Sequence, residues 1–183
     1  MSNLKKWKIL KSKMVLDHYW CKVRQDEIEL PNGKIIDDYF VSIKPDVAMV
    51  LPITSSREII FVRQYRHAVS EFFLELPAGS FDFTQENPEV AAMREFTEET
   101  GYIAEEFQKI GILYDKPSKD TNQIHLFLAK NVIKFRKQQL DITEEIEIVL
   151  IPVESVLEKI SQGEISVAGT VAALFLGLKF FTP

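Results

Sequence analysis

The segment from Glu86 to Tyr102 constrains the fold of this chain more than any other part of the sequence. Asn87 is a good N-cap residue, and Pro88 suits the first position of a helix. Gly101 readily adopts the left-handed conformation that follows a last helical turn. The sequence therefore predicts one helix over residues 88–100.

Two pairs of charged residues lie four residues apart on this predicted helix. Arg94 and Glu98 attract each other. Glu95 and Glu99 repel, and like charges at this spacing cost a helix about 0.2–0.5 kcal/mol. The simplest interpretation is a solvated charged face. The alternative is a bound divalent cation, because Mg²⁺ and Mn²⁺ prefer carboxylate oxygens and Mg²⁺ typically binds one or two carboxylates together with substrate phosphates.

The remaining patterns predict a mixed α/β order that follows a set of antiparallel strands. Between Val15 and Ser42, two runs rich in Val, Ile, Tyr and Phe flank an Asn-Gly step, which favours a hairpin. Further strand patterns lie at residues 47–53, 58–64, 72–76, 110–114, 124–129 and 146–151, and helical patterns at 154–162 and 167–180. We expect residues 1–45 to form an N-terminal strand region and residues 46–183 the main domain.

The composition excludes several classes of function. A net charge of -5 argues against a general nucleic-acid binder, which needs a basic face. A single cysteine, Cys21, cannot form an internal disulfide and fits a reducing cytoplasm. Apolar runs of the length of a signal peptide or a membrane span are missing from the sequence. We therefore expect a cytoplasmic protein that binds neither nucleic acid nor membranes.

The helix and the residues before it resemble the Nudix box, G-x5-E-x7-R-E-U-x-E-E-x-G-U, in which U is apolar. The matching residues are Gly79, Glu86, Arg94, Glu95, Phe96, Glu98, Glu99, Gly101 and Tyr102. Six residues separate Gly79 from Glu86 where the family has five, so residues 80–85 contain an insertion. A surface loop accommodates one extra residue at little cost, and we expect the helix and its ligands to be retained.

The resemblance implies a Nudix-type α/β/α sandwich with a mixed sheet and a metal-dependent hydrolase of pyrophosphate bonds. Three further segments are similar to the ADP-ribose pyrophosphatase branch: residues 62–66 before 75–79, Pro117, and residues 163–174. This branch hydrolyses ADP-ribose to AMP and ribose 5-phosphate. Ser118 and Asn122 depart from its pattern, so GDP-mannose, ADP-glucose or another nucleoside diphosphate derivative is an alternative substrate. A Nudix domain that binds nucleotide without catalysis is a second alternative.

The resemblance also assigns roles to acidic residues. The metal ligands are the carbonyl of Ala78 and the carboxylates of Glu95 and Glu99, with Glu98 sharing a metal. The expected cation is Mg²⁺, with Mn²⁺ as a substitute. Arg94 is expected to hold Glu86 and Glu98 in place. The general base is expected in the acidic stretch 141–147, with Glu144 as the first candidate and Glu145 as the second.

Four residues are candidates for substrate binding: Arg63, Tyr65, Arg66 and Pro117. A guanidinium binds phosphate oxygens bidentately, and an aromatic ring stacks on adenine. Strand alternation places Arg63 and Tyr65 on one face and Gln64 and Arg66 on the other, so a surface charge is the alternative interpretation for one of the two arginines. Arg66 is the better candidate for binding substrate. Members of the branch often pair through their N-terminal strands, so the resemblance implies a homodimer.

Overall fold

The structure is a computed structural model that describes residues 4–180 and divides the chain into two compact units. The first unit comprises the residues up to Pro45 together with Tyr114–Asn122, and the second comprises Asp46–Leu113 and the residues from Gln123 onward. The two regions predicted from the sequence, 1–45 and 46–183, include residues 1–3 and 181–183, which lie outside the described residues. The predicted boundary at residue 45 does not place Tyr114–Asn122 with the first unit. This segment pairs with the backbone of Ser42, which is distant in the chain, and no local sequence pattern reveals such a pairing.

The first unit contains a three-stranded antiparallel sheet in the order β1-β2-β3. Its strands are β1 (Lys8–His18), β2 (Cys21–Glu29) and β3 (Ile35–Ile43). Gly33 in the turn between β2 and β3 has a φ of 82°, which a glycine adopts without strain. The antiparallel N-terminal strands predicted around the Asn-Gly step are confirmed.

The second unit is built on a seven-stranded mixed sheet. Its strands are β4 (Asp46–Ile53), β5 (Glu58–Arg66), β6 (Glu71–Glu75), β7 (Ala78–Phe81), β9 (Glu106–Leu113), β10 (Ile124–Lys130) and β12 (Ile146–Pro152), while β8 (Tyr102–Ile103) and β11 (Ile133–Lys134) form a separate pair. The central order is β12-β5-β4-β10-β9, with β6 on β5 and β7 on β4. Strands β4 and β10 are parallel, and the other pairs are antiparallel.

Helices cover both faces of this sheet. They are α1 (Pro88–Thr100), α2 (Val156–Ser161) and α3 (Ala168–Gly177), with 3-10 turns at Val153–Ser155 and Leu178–Phe180. Alternate residues of β4 point to opposite faces. Val50 packs in one buried cluster with Ala92 of α1, and Leu51 packs in the other with Leu174 of α3. The expected α/β/α sandwich with a mixed sheet is therefore confirmed.

Helix α1 has the bounds that its capping residues predict. The side chain of Asn87 accepts a hydrogen bond from the backbone N–H of Glu89 at 2.9 Å. Gly101 ends the helix with a φ of 71°. A Cβ atom at this position would also overlap the carbonyl oxygen of Arg136, so the conformation and the close approach both require glycine.

Strand β7 was not predicted, although it carries the Ala-Gly step of the motif. It is short, and glycine is unfavourable in strands. Its pairing with β4, in which Ala78 lies opposite Met49, is what orders it. Within residues 4–180, no helix is both long enough and apolar enough to cross a membrane.

Candidate active site

Strand β7 and helix α1 meet at Glu99. The backbone N–H of Ala78 donates a 3.0 Å hydrogen bond to the Glu99 carboxylate, and Glu99 is only 5% exposed. One turn earlier on the helix, the Glu95 carboxylate lies against Gly79, where an added Cβ atom would overlap it. The Ala-Gly step thus packs directly on the two carboxylates that repel each other along the helix.

Arg94 is the centre of an ion-pair network with three carboxylates. Its Nε and Nη2 atoms donate to the two oxygens of Glu86 at 3.0 and 2.8 Å. Its Nη1 donates to Glu95 at 2.8 Å and to Glu98 at 3.1 Å. These bonds hold the pKa of Glu86 below its ordinary value. The sequence predicted the contacts with Glu86 and Glu98 but missed the one with Glu95.

Burial changes the proton affinity of the two helix carboxylates that lie against β7. Desolvation raises the pKa of Glu99 to about 8, with the negative charges of Glu144 and Glu95 adding to the effect, while the Ala78 N–H and Arg66 oppose it. Desolvation also raises the pKa of Glu95, against the opposing effect of Arg94. Without a compensating positive charge, Glu99 therefore holds a proton near neutral pH.

The donor chemistry fits a hard divalent cation held partly by substrate. Within residues 4–180, no group of three or more His, Cys, Asp or Glu side chains is placed to hold a metal ion by itself, so further ligands would have to come from substrate, water or main-chain atoms. Arg94 already pairs with Glu95 and Glu98. Two neighbouring carboxylates suit Mg²⁺, which typically binds one or two carboxylates, retains waters and binds substrate phosphates. A positive charge here would also relieve the buried Glu99 carboxylate.

Arg66 lies near this carboxylate cluster. It forms a bidentate pair with Glu75, with Nε and Nη2 at 2.6 and 3.1 Å from the two carboxylate oxygens. The charges of Glu99 and Glu144 act with this pair to raise the pKa of Arg66. In the sequence Glu75 is recognised only as part of a motif, and its ion pair with Arg66 was not predicted. In the register of β5 and β6, Arg66 lies opposite Glu71 and Glu75 lies opposite Val62, so the ion pair joins two side chains that are four positions apart along the sheet.

Glu144 and Glu145 lie in different surroundings. Glu144 closes a turn, with its backbone N–H donating to the Asp141 carbonyl at 2.9 Å and its carboxylate accepting from the Asp141 N–H at 2.9 Å. Its charge acts on both Glu95 and Glu99. Glu145 instead lines a cleft on the sheet together with Arg63. Glu144 therefore stays the first candidate for the general base, and this role remains a prediction.

Arg63 and Tyr65 gather around Phe72 instead. The Arg63 guanidinium lies 5.7 Å from the centroid of the Phe72 ring and 3.8 Å from Glu147. The Tyr65 ring lies 5.5 Å from the same ring. Glu145 completes the lining of this cleft, which has a volume of about 290 Å³. Pro117 is exposed and belongs to the first compact unit. Substrate binding by Arg63, Tyr65 and Pro117 remains a prediction.

The insertion between Gly79 and Glu86 is accommodated in an ordered turn. The Asp82 carboxylate accepts from the Thr84 N–H at 2.9 Å and from the Gln85 amide at 2.9 Å. The Asp82 carbonyl accepts from the Glu86 N–H at 3.0 Å. These hydrogen bonds order the turn that contains the extra residue. Glu86 still forms its ion pair with Arg94, as expected from the motif.

Comparison with known proteins places this geometry in a family. Residues 43–168 match the family described as NUDIX domain, and residues 7–42 match the nucleoside diphosphate sugar hydrolase N-terminal domain. The ADP-ribose pyrophosphatase of Bacillus subtilis (strain 168) is 35% identical over 156 residues, which cover 84% of this chain and 83% of that protein.

Two other relatives cover more of the chain. The methanol dehydrogenase activator of Bacillus methanolicus is 30% identical, with 95% of this chain and 94% of that protein covered. A GDP-mannose pyrophosphatase of Salmonella arizonae is 31% identical, with 91% of this chain and 92% of that protein covered.

The crystal structure of an ADP compounds hydrolase has the same fold, with a TM-score of 0.86 at 23% identity over 99% of this chain and 97% of that one. The chain therefore belongs to the Nudix hydrolase family.

Proposed function

We propose that this protein hydrolyses the pyrophosphate bond of a nucleoside diphosphate sugar, and that ADP-ribose is its preferred substrate. Water adds to one phosphorus, the bridging P–O bond breaks, and the products are AMP and ribose 5-phosphate. The observation that carries the proposal is the contact of Glu95 and Glu99 with the Ala78–Gly79 step. The relatives named ADP-ribose pyrophosphatase and GDP-mannose pyrophosphatase support this substrate class.

Nudix hydrolases generally need a divalent metal, and we propose Mg²⁺, with Mn²⁺ as a substitute. The carbonyl of Ala78 and the carboxylates of Glu95 and Glu99 would hold it, with Glu98 as a shared ligand. When bound, the cation neutralises charge on the diphosphate and lowers the pKa of the attacking water. The pairing of Arg94 with Glu95 and Glu98 then restricts the orientation of both carboxylates.

The chain supplies the remaining groups itself. Glu144 accepts a proton from the attacking water. The effect of its negative charge on the pKa of both Glu95 and Glu99 supports this role. Glu75 engages the Nε and Nη2 donors of Arg66, and we assign the Nη1 donors to a substrate phosphate. Arg94 orients Glu86 and acts on the reaction through the carboxylates.

The proposal extends to partners and location. Several large apolar side chains of the first unit are exposed, among them Ile9 at 55% and Trp20 at 74%. A second copy of this sheet would cover them, so we propose a homodimer through the N-terminal strands. A cytoplasmic location without nucleic-acid partners fits the net charge of -5 and the single cysteine.

The direct test incubates the purified protein with Mg²⁺ and ADP-ribose, ADP-glucose or GDP-mannose and identifies the products by mass spectrometry. AMP and ribose 5-phosphate are expected from ADP-ribose. Glu99→Gln should lower kcat by orders of magnitude, since the loss of a cation ligand removes several kcal/mol of transition-state stabilisation. Glu89→Gln, at an exposed position in the first turn of the same helix, should retain kcat.

The alternative of a nucleotide-binding domain without catalysis makes a different prediction. It expects ADP-ribose to bind, as measured by calorimetry, without formation of either product. Binding without turnover in the wild-type protein would therefore contradict the proposed hydrolase. Turnover that is equal in Glu99→Gln and Glu89→Gln would contradict the assigned cation site.

A further inference from the structure

The C-terminal end of α1 is bound by a segment that follows β10 in the chain. The last turn of a helix leaves carbonyl groups without partners inside the helix. Here the Gln139 N–H donates to the Glu98 carbonyl at 2.9 Å, and the Lys134 Nζ donates to the Thr100 carbonyl at 2.7 Å. We call residues 134–139 the brace segment, because it binds the end of the helix that carries the proposed cation ligands.

Gln138 differs from its neighbours in the brace segment because its side chain bonds to two elements. Its Nε2 atom donates to the Glu99 carbonyl at 2.7 Å and to the Ile146 carbonyl at 3.2 Å. A primary amide has two N–H groups, so one side chain satisfies both acceptors. Both partners are carbonyl oxygens, which fixes the identity of the amide nitrogen.

These two bonds connect the two sides of the proposed site. Glu99 supplies a proposed cation ligand, and Ile146 begins β12 two residues after Glu144. The chain between Gln138 and Ile146 forms a loop that carries Glu144, and the Gln138 amide ties both ends of that loop to α1. The β12 atom that this side chain binds is the carbonyl oxygen of Ile146, the first residue of the strand, where the loop ends.

We propose that Gln138 is a positioning residue that fixes Glu144 relative to Glu99. The inference rests on the proposed role of Glu144 as the base. Loss of the amide would leave the start of the Glu144 loop held by the Gln139 N–H, but the end of the loop at Ile146 would no longer be tied to the end of α1. Displacement of a catalytic group by about 1 Å can lower the rate by roughly a hundredfold, so a small movement of this loop would be measurable.

The test compares Gln138→Met with Lys134→Met. Both variants lose a side-chain hydrogen bond to the end of α1, but only Gln138→Met also loses a bond to β12. Gln138→Met should lower kcat roughly tenfold or more, with KM for ADP-ribose within about twofold of the wild type. Lys134→Met should leave kcat within about twofold. Equal kcat values in the two variants would overturn the proposal.

A double-mutant cycle with Glu144→Gln separates positioning from a general loss of stability. If Gln138 acts through Glu144, Gln138→Met should lower kcat far less in the Glu144→Gln background than in the wild type. The same fold-loss in both backgrounds would show that Gln138 acts elsewhere and would overturn the proposal. A Glu144→Gln variant with full activity would refute the base assignment and the inference with it.

Amide hydrogen exchange tests the tether without any activity. Residues 141–146 should exchange faster in Gln138→Met than in Lys134→Met, while the core strands β4 and β10 exchange alike in both. Equal exchange of the loop would overturn the inference. A wild-type protein that produces no AMP, with faster loop exchange in Gln138→Met, would instead refute the proposed function and leave the tether established.

Discussion

The carboxylate of Glu95 lies so close to the α-carbon of Gly79 that no side chain fits between the strand and the helix. Glycine is therefore required at position 79 because the Glu95 carboxylate leaves no room for a Cβ atom. The backbone conformation does not require it, since Gly79 has no positive φ. This contact joins β7 to α1 at the proposed cation site. Any group larger than hydrogen at residue 79 must push the Glu95 carboxylate away from its place beside Arg94.

Gly79→Ala should lower kcat at least tenfold, because Glu95 can no longer lie against β7. The matched control is Gly111→Ala on β9, where an added Cβ would make an ordinary contact at 3.8 Å with Leu176. Steady-state kinetics and thermal unfolding of both variants test this. Full activity in Gly79→Ala would show that the contact is not needed for the reaction.

Arg94→Lys should reduce kcat strongly while leaving the fold intact. An ammonium group is a compact charge and cannot reproduce the planar arrangement that binds both oxygens of Glu86 and reaches Glu95 and Glu98 as well. Circular dichroism should be unchanged, and the Mg²⁺ concentration for half-maximal rate should rise. If Arg94→Lys has wild-type kinetics, the bidentate geometry has no part in orienting the ligands.

The stability of the cation-free protein should depend on pH through Glu99. Its pKa is raised from an ordinary 4.5 to about 8, so between these values the folded protein keeps a proton that the unfolded chain has released. The free energy of unfolding should therefore fall as pH rises through this window. Urea unfolding in EDTA at pH 5.5 and pH 8 measures the fall.

Glu99→Gln is the control for this pH effect, since an amide oxygen still accepts the Ala78 N–H but does not titrate. The decrease in unfolding free energy between the two pH values should be smaller in this variant. Added Mg²⁺ should stabilise the wild type more at pH 8 than at pH 5.5, because cation and proton compete for the carboxylate. Identical pH dependence in both proteins would rule out Glu99 as the source.

Light scattering should give a mass of about twice the 21.1 kDa monomer at micromolar concentration. The reason is the apolar surface of the first unit, where Tyr19 is 85% exposed and Trp20 74% exposed. Ile9→Asp should shift the protein toward the monomer, because it places a charge among the apolar side chains of β1. A wild-type monomer would contradict the proposed homodimer.

Local signals were enough to predict some parts of the structure. The bounds of α1 followed from Asn87 and Gly101, whose capping preferences act within one turn. The Arg94 contact with Glu98 followed from helical spacing. By contrast, the sequence could not predict that Gln138 binds the end of α1, because the bond to Glu99 crosses 39 positions of chain.

Strand alternation separated Arg63 from Arg66, but it could not say which of them faces α1. The packing of β5 decides this, because Ile60, on the same face of the strand as Arg66, is buried in one cluster with Phe96 of α1. The association of Tyr114–Asn122 with the first unit has a similar cause, since it depends on backbone pairing with Ser42. Contacts between distant segments account for most of what the sequence did not predict.

The proposed preference for ADP-ribose meets one exception in the sequence, because Ser118 and Asn122 depart from the pattern of the ADP-ribose branch. One unpaired buried polar group costs about 1–3 kcal/mol, or roughly ten- to a hundredfold in rate, so a single hydrogen bond to the sugar is enough to decide between substrates.

The most direct test of the account is kcat/KM for ADP-ribose, ADP-glucose, GDP-mannose and NADH at one Mg²⁺ concentration, with a parallel series in EDTA. We expect ADP-ribose to have the highest value and EDTA to abolish turnover of all four. A rival substrate that exceeds ADP-ribose tenfold would contradict the substrate assignment, and full rates in EDTA would contradict the cation-dependent site on α1.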